Sequence, residues 1–81
     1  MRIRLTKHAE LTTSERMLPL DWVTLTVQAP DWTEPDPETP ALTRSFKIIP
    51  EAGNRVLRVV HRPDNGDILV ITAFLDRGAK R

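Results

Sequence analysis

The residues of this chain that could do chemistry are two histidines and a late run of arginines. His61 stands between Arg58 and Arg62, with Arg44 and Lys47 on the preceding β-rich run, while His8 lies near the N-terminus ahead of Glu15 and Arg16. Metal-independent RNA cleavage draws on such a set: a base for the 2′-hydroxyl proton, an acid for the leaving oxygen, and cations to stabilise charge on the phosphorane-like transition state. The candidate catalytic residues are therefore His8, His61 and Arg16. Arg44, Lys47, Arg58 and Arg62 are the candidates for contacting nucleic acid or a partner. Side chains alternate along a strand, so His61 is expected to face away from Arg58 and Arg62. That separation favours binding over catalysis, because guanidinium groups hold phosphate or carboxylate in forked hydrogen bonds with no base nearby. For His8, with Thr12 and Glu15 at i+4 and i+7, a bond that locks the helix to the sheet is an equally physical use. Plain solvent exposure serves His61 as well.

Charge placement is more informative than the net charge of +1. No Lys or Arg occurs between Trp22 and Thr43, a stretch that holds Asp31, Glu34, Asp36 and Glu38. From Arg44 onward the bases Arg44, Lys47, Arg55, Arg58, Arg62, Arg77, Lys80 and Arg81 outnumber the acids Glu51, Asp64, Asp67 and Asp76. Such a field attracts anions, a phosphate backbone among them. An ordinary solvated surface with scattered arginines carries the same composition.

These side chains must be positioned by a short chain of 81 residues with no cysteine. A single domain over 1–81 is expected, with an acidic proline-rich loop at 30–42, a flexible basic tail at 77–81 and a small core. Without thiolates, two histidines do not make a usual zinc site, so neither metal nor cofactor is expected. No apolar run approaches a membrane span and no signal-peptide pattern opens the chain, so a cytoplasmic protein without a membrane partner is expected. Phosphate loops, Gly-x-Ser-x-Gly elbows and internal repeats are missing from the sequence, which excludes the usual machinery of nucleotide-dependent enzymes and serine hydrolases.

The clearest local signal is Arg55 to Asp76, where two β-rich runs flank Pro63-Asp64-Asn65-Gly66-Asp67. Asn-Gly supplies the positive φ values of a type I′ turn, and Pro63 is expected to mark where pairing stops. Both faces of Ile68 to Leu75 are apolar, with Ile68, Val70 and Phe74 opposite Leu69, Ile71, Ala73 and Leu75, as in a strand inside a sheet. Thr43 to Ile49 reads as a further strand, and Arg2 to Thr6 as a half-buried one. Thr6 is placed to cap a helix from Lys7 to about Met17, ended by Pro19. Leu20 to Ala29 alternates like a strand yet also forms a broad helical apolar face. Pro30 to Pro40 carries four prolines and reads as an extended loop. Of Trp22 and Trp32, at least one should be core, and an exposed Trp32 would suggest a protein-binding spot.

A strand, Lys7-His8-Ala9 opening a helix, Glu15-Arg16 near its end, a helix ending at Pro30-Asp31, and a three-strand meander closing with Val70-Ile71-Thr72 together resemble the bacterial domain-of-unknown-function 4258 family. That family is similar to toxin folds of the RelE and BrnT kind. The resemblance covers nearly the whole chain: His8, Ala9 and Arg16 match its helix signature, and Thr12-Thr13 stand where Arg-Met is usual. It implies a helix over Leu20 to Ala29. The implied fold is α+β, in βααβββ order, with two helices packed on one face of a four-stranded, mainly antiparallel sheet.

Two functions follow as expectations. One is a toxin-like module that binds RNA and cleaves it without metal, with an antitoxin-like partner. The other is a non-enzymatic interaction domain that uses its sheet edge or basic face, with a partner chain or a second copy of itself. Both lean on Lys47, Arg58 and Arg62 forming one basic strip on the bare side of the sheet.

Overall fold

Thr6 ends the first strand, β1 (Ile3–Leu5), and starts the first helix, α1 (Lys7–Glu15). Its extended backbone lets the hydroxyl accept the Ala9 amide at 3.0 Å, satisfying one of the free donors of the first turn. The other end of α1 closes before Pro19 is reached. Met17 takes a left-handed conformation at φ 55°, Leu18 donates to the Thr13 carbonyl and Met17 to that of Ser14. Those paired bonds define a Schellman cap, so the expected extent to Met17 is two residues too long. Pro19 instead provides the extended residue ahead of α2 (Leu20–Gln28). Leu20 to Gln28 is helical despite its threonines because Val23, with Trp22 and Val27, packs on the core. Buried Thr26 returns its hydroxyl to the Trp22 carbonyl at 2.7 Å, so no polar group is stranded there.

The computed structural model describes residues 2–80; Arg81, part of the expected basic tail, lies outside them. Within them the proline-rich loop contains a strand, β2 (Trp32–Pro35), paired with β3 (Thr43–Ile49). An edge strand needs donors on one side only, so it tolerates the proline that would break an interior one. A short 3-10 turn at Pro50–Ala52, followed by left-handed Gly53 and Asn54, leads into β4 (Arg55–Asp64) and then β5 (Asp67–Asp76). The four-stranded, mainly antiparallel βααβββ expectation is thus corrected. The order is βααββββ, and the five strands form one mixed sheet in the order β1-β5-β4-β3-β2, with β1 parallel to β5.

Asn65 and Gly66 adopt φ 51° and 82°, the two positive values of a type I′ turn. Pairing does not stop at Pro63, however, but continues through Pro63↔Ile68 and Asp64↔Asp67. The last partner of β3 is Thr43 opposite His61, so beyond His61 β4 has one neighbour and the missing proline donor does no harm. A bulge then alters the faces of β5. Val60 pairs with Thr72 but His61 with Val70, so Ile71 is passed over. Val70 therefore joins Ala73 on the side facing the helices, where simple alternation would place them apart. Against that side Ala9, Leu18 and Val23 bury Leu57, Val59, Val70 and Ala73. No helix among the described residues is long and apolar enough to cross a membrane.

Candidate functional site

The register sorts the proposed site residues onto two sides of the sheet. Lys47 pairs with Leu57 and Phe46 with Arg58, so Lys47 points to the helix side while Arg58 points to the open one. Lys47 donates from Nζ to the Ala29 carbonyl at 2.9 Å and lies 3.8 Å from Asp31, tying β3 to the end of α2. The expected strip of Lys47, Arg58 and Arg62 on the bare face is corrected accordingly. Arg58 and Arg62 do share that face, together with Arg44 opposite Val60 and Arg4 opposite Leu69.

Each of these arginines already has a carboxylate. Arg4 is bonded to Asp64 and lies 3.4 Å from Asp67; Arg62 lies 3.4 Å from Asp64. Arg44 lies 3.2 Å from Asp36 and 3.8 Å from Glu34, and Arg58 lies 3.4 Å from Asp76. The hydrogen bond from Arg4, supported by Arg62, holds Asp64 below the ordinary carboxylate range. Asp36 is lowered chiefly by the Thr39 amide, with the Glu38 amide and Arg44 adding to it. Four arginines thus meet five carboxylates, and the open face is an ion-paired lattice with no surplus of positive charge.

Beneath the lattice lies a small apolar layer. Trp32, Phe46, Arg58 and Phe74 form one cross-strand row through the pairs Trp32↔Phe46, Phe46↔Arg58 and Arg58↔Phe74. The rings of Trp32 and Phe46 stack at 4.8 Å and 6°, and the Arg58 guanidinium lies 4.3 Å from the centre of Phe74. Phe46 is 3% exposed although no helix covers it. Trp22 and Trp32 are both half-buried, Trp22 on the main core and Trp32 on this second one.

The histidines are not brought together. His61, on the helix side as alternation requires, is buried at the edge of the core with Nε2 2.7 Å from the Ser45 hydroxyl. Burial lowers its pKa below the ordinary value of 6.5. His8 is exposed on the first turn of α1. Arg16 donates to the Ala73 carbonyl at 3.0 Å and lies over Phe74 at 5.7 Å, fastening the end of α1 to β5. Ser45 and Phe46 escaped the sequence reading, which singles out Trp32. Ser45 shares the inward-facing alternation of Thr43 and Lys47, which is the signal that could have found it.

Two concavities flank this frame. An apolar groove of about 620 Å³ runs between β1 and α1, with Ile3, Leu5, Leu18 and Leu20 among its walls. A polar recess of about 440 Å³ opens on the sheet face over Arg44, Phe46 and Arg58. No group of metal-binding side chains occurs among the described residues. Fold and surface define a two-layer α+β domain with one helix-covered and one ion-paired sheet face. No family model, curated protein or solved structure matches the chain.

Proposed function

We propose that this protein is a non-enzymatic interaction module that receives an extended, acidic segment of a partner chain along the free edge of β1. The observation that carries the reading is the union of open backbone and apolar groove at that edge. Ile68 donates to the Arg2 carbonyl and Thr6 to that of Val70, so in a parallel ladder the amides and carbonyls of Ile3 and Leu5 point away from β5. A strand added there would bond to those groups and lay alternate apolar side chains over Leu5, Leu18 and Leu20. Arg2 and Lys7 flank the edge, and among the described residues neither has a carboxylate within salt-bridge distance. Acidic residues in the incoming segment complement them. The opposite edge, β2, carries Pro35 and Glu34 and is poorly suited to pairing. An antitoxin-like chain, the partner the family resemblance implies, would engage β1 in this way.

The ribonuclease reading asks for a proton carrier beside free cations. His61 is instead buried against Ser45, on the opposite side of the sheet from the arginines, each of which has a carboxylate within salt-bridge distance. The test is direct. A synthetic peptide alternating Glu with Val or Leu is titrated against labelled protein, and the Ile3 and Leu5 amides are followed by NMR and hydrogen exchange. Saturable shifts and new protection at those amides are expected. Leu20→Glu, at a groove residue 59% exposed, should weaken binding about tenfold or more, since a charge must then be buried beside apolar side chains. Metal-independent degradation of RNA, reduced about a hundredfold by His8→Ala or His61→Ala, would establish catalysis and overturn the proposal.

A further inference from the structure

The polar recess on the open sheet face has a ligand chemistry of its own, separate from the β1 edge. Its walls include the Trp32–Phe46 stack, Arg44, Arg58, Asp76 and Lys80. Its volume of about 440 Å³ falls in the range of small-molecule sites, roughly 300–1,000 Å³. The hydrogen-bonding capacity left unused there lies on the donor side. Arg58 Nε is buried and has no hydrogen-bond acceptor, its neighbour Asp76 standing at 3.4 Å without the geometry of a bond. Asp76 spends its other oxygen on the Gly78 amide at 2.9 Å, a turn that leads into the segment carrying Lys80 to the recess. Lys80 has no carboxylate within salt-bridge distance among the described residues. Glu34 sits half-exposed beside Arg44, which also holds Asp36.

We infer that this recess binds a small planar aromatic molecule carrying one carboxylate or phosphate, its ring against Trp32 and its anionic group between Arg58 and Lys80. A planar ring suits the stacked indole wall. An anion in the recess meets the part of the Arg58 side chain that lines it, beside the ammonium of Lys80, and charge-assisted bonds to such groups are the stronger ones. Because Trp32, Phe46 and Arg58 occupy one row on three neighbouring strands, the sheet ladder fixes wall and donor relative to each other before any ligand arrives.

Labelled protein titrated with indole-3-acetate, with adenosine 5′-monophosphate and with uncharged adenosine provides the test. The Trp32 indole N–H and the Arg58 Nε–H should shift saturably with at least one of the two anions, the first probing a carboxylate and the second a phosphate, while adenosine leaves both in place. Arg58→Lys, which keeps the charge but loses the planar guanidinium, should weaken binding about tenfold. Lys80→Ala, in a segment outside the sheet, should weaken it several-fold with an unchanged fold, and so tests the site independently of any folding defect. No saturable shift at about 10 mM of either anion, adenosine binding as well as its phosphate, or wild-type affinity in Lys80→Ala would each refute the assignment.

Discussion

The Ser45–His61 pair makes stability depend on pH in a direction that can be fixed in advance. Ser45 is 1% exposed and His61 9%, and their side chains meet at 2.7 Å. Burial disfavours the charged ring and lowers the pKa of His61 in the folded protein. Above about pH 6.5 the imidazole is neutral whether the chain is folded or not, and its contribution to stability is fully present. As pH falls below that value the unfolded chain takes up a proton that the folded chain resists, so the free energy of unfolding drops. One proton limits the slope to about 1.4 kcal/mol per pH unit, and the drop levels off below the folded-state pKa. In a domain whose total stability is on the order of 5–15 kcal/mol, such a slope is readily seen. Urea unfolding followed by tryptophan fluorescence from about pH 8 to about pH 5 reads it as a falling midpoint at constant m-value. Asp36 and Asp64 do not interfere, because their lowered pKa values keep their contribution intact above the ordinary value of 3.8, with loss only below it. His61→Gln should flatten the profile. Ser45→Ala should remove about 1–3 kcal/mol even at the alkaline end, since the buried ring nitrogen loses its partner. A flat wild-type profile, or an undiminished slope in His61→Gln, would refute the reasoning.

Other substitutions probe the frame. Leu57, wholly buried at the centre of the core, should lose about 2–5 kcal/mol as Leu57→Ala, measured by urea unfolding, because the surrounding sheet relaxes only in part. Gly66→Ala should cost about 1 kcal/mol through its φ of 82° alone, as open space surrounds the position, and thermal unfolding would register it. Met17→Gly is expected to raise the melting temperature, with a gain of up to about 1 kcal/mol, since the left-handed residue closing α1 is the one glycine favours.

Local features were legible where the signal was local. Thr6 as a cap, Asn65-Gly66 as a turn and the strands at Thr43–Ile49 and Arg55–Arg62 follow from residue types and spacing, and so does His61 facing away from Arg58. The helix at Leu20–Gln28 could not be decided by its threonines, because packing of Val23 and Trp22 on the sheet overrides their strand preference. Trp32–Pro35 was hidden by its prolines, which are obstacles only where both sides of a strand are paired. The bulge at Ile71 has no mark in the sequence, yet it decides which side Val70 occupies. Cross-strand partners were equally out of reach. Lys47 falls opposite Leu57, and Arg58 beside Asp76, only once the register of three strands is set, and that register decides whether the open face is basic or neutral.

Ile3 pairs with Ile68, and the backbone amide of Arg2 reaches an Asp67 oxygen 65 positions away in sequence. Closing a loop of that length costs about 4 kcal/mol in chain entropy beyond a constant term, and three residue pairs must repay it. The hairpin of β4 and β5 has no such debt, so it can form early while β1 joins late. A sheet assembled in that sequence leaves the outer flank of β5 bare for part of every folding event, and β1 is the first strand to peel away when the native state breathes. The Thr6 amide, which bonds to the Val70 carbonyl of β5, should therefore exchange its hydrogen well before Leu57 or Val59 do.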